Sequence, residues 1–384
     1  MKTPSSRWRS PGMHPLSRCV AGMALVLLLP LAGAAAAGKP LAAYLQFPPK
    51  TPDMPHAPFS LPVFLGLALL ILASTAPFPL RLFSSRRVHG PRSPAGSFPW
   101  WGWAGAGLCA GSWILAWGRF PWMGGLQAHT FTPLWVAYIV VVNALTHLRA
   151  GRCLMLTRPR RFLLLFPVSA AFWWSFEYLN RFVGNWYYRD PPGFGAGEYF
   201  LFATLPFATV LPAVLSTREL LLSFPRVDGA FRKWHPFSPP SPRGIGLAAL
   251  LLSCAGLFAV GIVPDFAFPL VWVAPPLLLI SLAALRGEPH SLSGIAEGDW
   301  RTFAASSLAA LSCGFFWEMW NHGSAVKWVY AIPYVDAFHV FEMPILGYAG
   351  YLPFGVLCAE VGDRLLKSDP RAPEKTSSFP PQVR

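Results

Sequence analysis

The chain has 384 residues, of which 54% are hydrophobic and 12% charged, and its mean hydropathy is +0.42. These values lie outside the range of soluble globular proteins and exclude a soluble multidomain fold. The formal net charge of +14 would suit a nucleic-acid ligand, but Lys and Arg alternate between successive loops, so the charge indicates membrane topology and disfavours a nucleic-acid partner.

Ten hydrophobic stretches are long enough to cross about 30 Å of hydrocarbon. They cover residues 20–37, 58–76, 100–118, 131–148, 162–179, 199–217, 245–263, 268–285, 302–320 and 338–361. If the N-terminus is cytoplasmic, 25 of the 31 Lys and Arg residues fall in cytoplasmic segments, as the positive-inside rule requires. The sequence therefore predicts an all-α, polytopic transmembrane helical bundle of about ten spans. We expect a bacterial inner-membrane location with both termini cytoplasmic.

The N-terminal part, residues 1–95, contributes the first two stretches. The first has a basic start and is followed by AAAAGKP, so it fits both an uncleaved signal anchor and a cleaved signal peptide. At the other end of the chain, residues 367–384 are rich in Pro, Ser and charge, which predicts a disordered cytoplasmic tail.

A signature occurs twice, each time at the end of a hydrophobic stretch. FEYLNRFVGNWYYRDP (176–191) resembles WEMWNHGSAVKWVYAIP (317–333). This alignment matches the following residues of the first copy with those of the second: Glu177 with Glu318, Asn180 with Asn321, Trp186 with Trp328, and Tyr188 with Tyr330. Similarity upstream and downstream predicts two four-helix repeats, residues 98–222 and 243–366, which enter the membrane in the same direction. The WxY segments are predicted to be external loops.

The two glutamates are the first candidate site residues, because a charged side chain at mid-span costs roughly 2.5 to 3.5 kcal/mol on insertion scales. Residues three and four apart share a helix face, so Glu318, Asn321 and His322 are predicted to project together. His339 and Glu342 would do so at the start of the last span. The complete candidate set is Glu318, Glu342, His322, His339, Asn321, Glu177 and Asn180.

Structural interpretations compete with these roles. The tryptophans and tyrosines of the WxY segments fit interfacial anchors, and Asn180 and Asn321 fit helix C-caps. Glu360, close to Asp363 and Arg364, is interpreted as a solvated helix end.

Three chemistries remain open. A cofactor-independent enzyme would use the acids and histidines for acid/base chemistry on an apolar isoprenoid or other lipid, from an outward-facing cavity. Alternatively, Glu318, His322, His339 and Glu342 would bind zinc or iron. The third role is non-enzymatic, as a transporter or scaffold. Expected partners are membrane lipids and an apolar lipid-soluble substrate, with a second copy of the chain or another membrane protein as a further candidate.

The plan of a span ending in Glu, a WxY loop and a span with an acid beside a Pro resembles the membrane lycopene cyclase domain and, more loosely, the carotenoid hydratase family. The resemblance rests on Glu177 with Trp186 and Tyr188, and on Glu318 with Trp328, Tyr330 and FEMP (341–344). It implies duplicated helical units and acids that protonate a polyene, with Glu342 and Glu318 in that role. The chain departs from the pattern, since Glu342 stands where the family has paired acids and the first unit has Thr204.

Overall fold

The structure is a computed structural model that describes residues 15–85, 97–189 and 193–367. The chain is mostly helical. The α-helices are α1 (Pro15–Ala36), α2 (Ala42–Leu45), α3 (Leu61–Thr75), α4 (Pro77–Ser84), α5 (Trp100–Trp117), α6 (Phe131–Ala150), α7 (Leu154–Thr157), α8 (Pro159–Val183), α9 (Ala196–Phe207), α10 (Val210–Leu222), α11 (Pro225–Arg232), α12 (Pro242–Ile262), α13 (Pro264–Ala267), α14 (Leu270–Leu285), α15 (Arg301–Gly323) and α16 (Tyr351–Lys367). The 3₁₀ helices are Pro121–His129, Ser293–Glu297 and Ile345–Gly350, and the strands are β1 (Trp186–Arg189), β2 (Lys327–Tyr330), β3 (His339–Val340) and β4 (Met343–Pro344).

Each of the ten predicted stretches contains helix, which agrees with a helical membrane bundle. Seven helices are both long and apolar enough to cross a membrane. They are Ser17–Ala36, Leu61–Ser84, Phe131–Ala150, Pro159–Val183, Ala196–Leu222, Pro242–Ile262 and Ile345–Leu366. α14 is apolar but shorter, and α5 and α15 are not among the seven. The count of ten spans therefore stays a prediction, and the predicted tail beyond Lys367 lies outside the described residues.

The helices of the two predicted repeats pack in matching pairs. α5 packs on α6 as α12 packs on α14, and α8 packs on α10 as α15 packs on α16. Between the two halves, α10 contacts α15 and α16 contacts α8. The same packing relationships thus occur in both halves.

The WxY segments form a two-stranded antiparallel ribbon, whereas the sequence predicted loops. Trp186 pairs with Tyr330 and Tyr188 pairs with Trp328, so the Trp of each copy lies opposite the Tyr of the other copy. The first segment can turn back at this point because α8 ends at Gly184, whose φ of 59° is left-handed. The aromatic residues that follow favour strand.

The start of the predicted last span is also not helical. His339–Val340 and Met343–Pro344 form a short antiparallel hairpin, and the 3₁₀ helix that leads into α16 begins only at Ile345. The two-residue turn needs a left-handed residue at its first position, which Phe341 supplies with φ 58°. The prediction that His339 and Glu342 share a helix face is therefore wrong.

Glu360 is buried at 2% exposure, so its interpretation as a solvated helix end is also wrong. It accepts hydrogen bonds from the backbone N–H and hydroxyl of Ser291 and pairs with Arg364. Its counterpart in the first half, Glu219, accepts one from the N–H of Leu154 at 2.6 Å. The two carboxylates thus hold equivalent connecting segments against the helix ends.

α1 packs closely against α12. A Cβ atom on Gly33 would overlap the carbonyl oxygen of Phe258, and one on Gly261 would overlap that of Pro30. Small residues at such crossings let the two backbones approach in membranes. α1 is therefore an integral packing partner of the second half.

We expect Gly33→Leu to lower the free energy of unfolding by about 1–3 kcal/mol, because the side chain has no space at the α1–α12 contact. Thermal melting by fluorescence-detected gel filtration measures the loss, and Gly66→Leu on α3, where a Cβ meets nothing within 4 Å, is the matched control. Equal melting of the two variants would show that α1 does not pack there.

An intact-mass measurement of the mature protein decides between signal anchor and signal peptide.

Candidate functional site

Two asparagines position the ribbon under the helix ends. The amide of Asn180 donates to the carbonyl of Trp186 at 2.6 Å, and its oxygen accepts from the N–H of Trp186 at 3.3 Å. Asn321 makes the same pair of bonds with Trp328, at 2.8 and 2.9 Å. The asparagines therefore clamp the WxY strands, a role that differs from the C-cap considered from the sequence.

We expect Asn321→Ala to cost about 1–3 kcal/mol of stability, because it removes both partners of the Trp328 backbone in a largely buried place. Asn180→Ala should behave similarly. Asn185→Ala is the matched control, since the side-chain oxygen of this buried neighbour has no hydrogen-bond partner among the described residues. Melting curves that rank Asn185→Ala as the most damaging of the three would contradict the clamp.

Glu177, near the end of α8, is buried at 1% exposure. Its Oε1 accepts three hydrogen bonds, from Trp173 at 3.0 Å, Trp186 at 3.2 Å and Tyr188 at 2.9 Å. The two WxY aromatic residues thus direct their polar atoms at the glutamate, which is not the behaviour of interfacial anchors.

Glu318, near the end of α15, has no exposed surface. Its Oε1 accepts hydrogen bonds from the hydroxyls of Tyr330 and Tyr351, both at 2.7 Å. The indole of Trp328 donates to Tyr330 at 2.9 Å. The Oε2 atom is buried and has no hydrogen-bond partner among the described residues. The second glutamate is therefore bound like the first, through Oε1 alone.

The two predicted units place one aromatic hydrogen-bond donor at different positions. Trp173 of the first unit corresponds to Gly314, and Val210 corresponds to Tyr351, at the same offset of 141 residues that relates the glutamates. A Cβ on Gly314 would overlap the ring of Tyr351. Each unit thus places one large aromatic donor in this space, from one helix in the first unit and from another in the second.

A cavity of about 120 Å³ is lined by residues from both predicted repeats. Its wall is formed by Ala128, Phe131, Trp173, Trp186, Tyr188, Tyr199, Phe202, Ala203, Pro206, Phe207, Val210, Trp272, Trp317, Val326, Trp328, Tyr330, Met343, Gly347, Gly350 and Tyr351. Twelve of these residues are aromatic. All of the donors to Glu177 and Glu318 are among them, so each carboxylate lies behind the aromatic wall.

Comparison with protein-family models, with curated proteins and with solved structures finds no match to this chain. The site is therefore interpreted from its own geometry.

The remaining sequence candidates form a separate, more exposed group. Glu342 accepts a hydrogen bond from Lys327 at 2.6 Å, and the same carboxylate oxygen lies 3.0 Å from Nδ1 of His322. His322 does not share the buried environment of Glu318, since 53% of its side chain is exposed. His339 pairs with Asp336 at 2.9 Å. None of the three candidates lines the cavity described above.

The ion pairs also set the charge of Glu342, which precedes the last helical span. Partial burial acts to raise the pKa of its carboxyl, but Lys327 and His322 outweigh burial and hold the pKa below its ordinary value. Because this pKa is depressed in the folded protein, the ion pairs stabilise the fold at pH values above the ordinary pKa of a glutamate. The stabilisation is lost as the pH falls through the depressed pKa. Glu342 is therefore an ionised partner of Lys327 at neutral pH rather than a proton donor.

The four residues considered as zinc or iron ligands do not come together. Glu318 is bound by tyrosines, His322 and Glu342 bind each other, and His339 binds Asp336. Within the described part of the chain, no group of three or more His, Cys, Asp or Glu side chains has the arrangement of a metal site.

Sequence reasoning found both glutamates and both asparagines but missed Trp173, Tyr351 and the distant wall residue Trp272. Tyr351 carried a signal. The 141-residue offset aligns Tyr351 with Val210 and aligns Trp173 with Gly314, so the second copy gains a large side chain at one position and loses one at the other. Trp272 carried a weaker signal, since it and Trp135 each stand fourteen residues before an Arg in the two predicted repeats.

Proposed function

We propose that this integral membrane protein binds the end group of a lipid-soluble molecule in the aromatic cavity and acts on it by acid/base chemistry. The observation that carries the proposal is that Tyr188 and Tyr330, which donate to the two buried glutamates, line one cavity. The cavity then lies between two parallel repeats, which the matching helix pairs and the reciprocal ribbon register support.

The size of the cavity limits what enters. An engineered apolar cavity of about 150 Å³ binds benzene, so a cavity of about 120 Å³ admits a group of similar or smaller size. A long lipid would place only its end there. The end ring or terminal dimethyl group of an isoprenoid satisfies this limit.

The proton carrier that meets the ligand is a tyrosine, and the glutamate lies behind it. If the Tyr330 oxygen takes a proton from the ligand, its own proton moves to Oε1 of Glu318 across 2.7 Å, and the ligand keeps the electron pair. The reverse transfer protonates the ligand. Such positioned proton transfer contributes typically 10² to 10⁴ in rate.

The charge pattern of the loops predicts that the ribbon end of the bundle faces the outer leaflet. α8 and α15 both end there, so both glutamates lie at the same depth. A lipid of the outer leaflet would therefore reach the cavity without crossing the membrane.

Mass spectrometry of lipids retained by the purified protein tests the binding step. Val210→Trp fills the cavity, because Val210 is buried and lines it, whereas Val136→Trp adds the same ring at a position with 37% exposure on α6. We expect one lipid species to be retained by the wild type and Val136→Trp and to be lost from Val210→Trp. Identical lipid content in all three folded proteins would overturn the proposal.

A further inference from the structure

The size limit stated above admits the end of an isoprenoid, and it also admits a charged group of the same size. We infer that the cavity selects a positively charged end group of the size of a trimethylammonium ion. The inference rests only on the binding step of the proposed function, because it concerns the same cavity and names its ligand. A quaternary nitrogen has no proton to give and no electron pair to accept one, so proton transfer through Tyr330 would reach another atom of the ligand.

The two buried glutamates lack a cationic partner among the described residues. Glu177 and Glu318 are buried at 1% and 0% exposure, and every hydrogen-bond partner that the described residues give them is a neutral Trp or Tyr. No described Lys, Arg or His forms an ion pair with either one. A buried carboxylate either is paired with a cation or is held neutral. A cationic ligand would stabilise the ionised form, for which the described residues supply no cationic partner.

Glu318 has a buried carboxylate oxygen that accepts no hydrogen bond from the described residues. Its Oε2 is buried without a hydrogen-bond partner among the described residues, and an unsatisfied buried acceptor is costly. Its Oε1 holds Tyr330 and Tyr351, which both line the cavity. A positive group in the cavity would thus be separated from this carboxylate by one layer of tyrosine side chains.

The wall of the cavity is mainly aromatic. Because the indole and hydroxyl groups of Trp173, Trp186 and Tyr330 are bonded to glutamates or in their network, these rings offer a ligand mainly their π surfaces. Trp186 lies 5.8 Å from Trp272 and Trp173 lies 6.4 Å from Trp317, measured between ring centroids. Tryptophan faces attract cations most strongly, and aromatic boxes are the recognised receptors of quaternary ammonium groups.

Size agrees with this ligand. A cavity of about 120 Å³ is comparable with the engineered cavity of about 150 Å³ that binds benzene. A nitrogen with its methyl groups is close to benzene in size and fits. Lys50 already places its ammonium 5.6 Å from the ring centroid of Tyr199, a residue of the same wall.

Isothermal titration calorimetry of the full chain in uncharged maltoside micelles tests the inference. The probes are choline and 3,3-dimethylbutan-1-ol, which has carbon in place of the charged nitrogen and the same shape. We expect choline to bind at least about tenfold more tightly than the alcohol, a difference of about 1.4 kcal/mol. Glu318→Gln should remove most of this preference, and Glu177→Gln should reduce it.

Glu297→Gln is the matched control, since Glu297 is exposed in a 3₁₀ helix remote from the cavity, and it should keep the preference intact. Equal affinity for the two probes would overturn the inference and leave cavity binding standing, with a neutral end group as the ligand. If neither probe binds, the inference fails, and the lipid-retention experiment with Val210→Trp decides separately whether the proposed function fails too.

The cation could come from a lipid headgroup or from a soluble molecule. Repeating the choline titration in nanodiscs of phosphatidylcholine and of phosphatidylglycerol separates these sources. Loss of choline binding in the phosphatidylcholine discs alone identifies the headgroup as the occupant. Equal binding in both identifies a soluble ammonium compound, and in either case the charge preference stands.

Discussion

Gly314→Trp is expected to destabilise the protein strongly, and Tyr351→Val in the same chain is expected to restore most of the loss. A side chain at position 314 has no space, because the ring of Tyr351 occupies it, and overpacking a core costs typically about 1–3 kcal/mol or more. The double variant copies the first unit, where Trp173 donates to Glu177 and Val210 stands in the place of Tyr351. The new indole would then donate to Glu318.

Thermal melting of the two single variants and the double variant measures the coupling between the positions. Gly111→Trp is the matched control, because a Cβ at this exposed position of α5 meets nothing within 4 Å, and it should melt close to the wild type. If the double variant is no more stable than Gly314→Trp alone, the two units do not share one design around their glutamates.

The seven long apolar helices could be predicted from the sequence, because each gives an apolar run long enough to cross a membrane. The ribbon could not, since Trp186, Tyr188, Trp328 and Tyr330 have the composition of interfacial anchors. Only their pairing, Trp186 with Tyr330 and Tyr188 with Trp328, shows that they are strands. That pairing depends on Asn180 and Asn321 holding the backbone, and a sequence does not show which partner an amide chooses.

The sequence predicted only part of the candidate site. Glu177 and Glu318 stand out because a carboxylate in a hydrophobic stretch is unusual. Glu342 and His339 were assigned to a helix from their spacing, but Pro344 and the left-handed Phe341 give a hairpin instead. Helical spacing is evidence of a shared face only where the chain is a helix.

Glu318→Gln is expected to abolish the action on lipid, whereas Glu342→Gln is expected to leave most of it. Gln keeps the size of Glu318 but cannot take the proton of Tyr330, so the relay across the 2.7 Å hydrogen bond is lost. Removing a positioned acid or base typically costs about 10² to 10⁴ in rate. Glu342 instead holds Lys327 and His322 at the protein surface, and such partly exposed ion pairs contribute about 0–1 kcal/mol.

Lipid extracts from a deletion strain, complemented with the wild type or with either variant, provide the measurement. Cells with Glu318→Gln should match the deletion strain, with the substrate accumulated, and cells with Glu342→Gln should match the wild type. Gel filtration of both purified variants must show folded protein, because only then does the difference report chemistry. The opposite ranking would move the reaction to Glu342, Lys327 and His322, and the aromatic cavity would then serve binding alone, since neither tyrosine of the Glu318 relay contacts that group among the described hydrogen bonds.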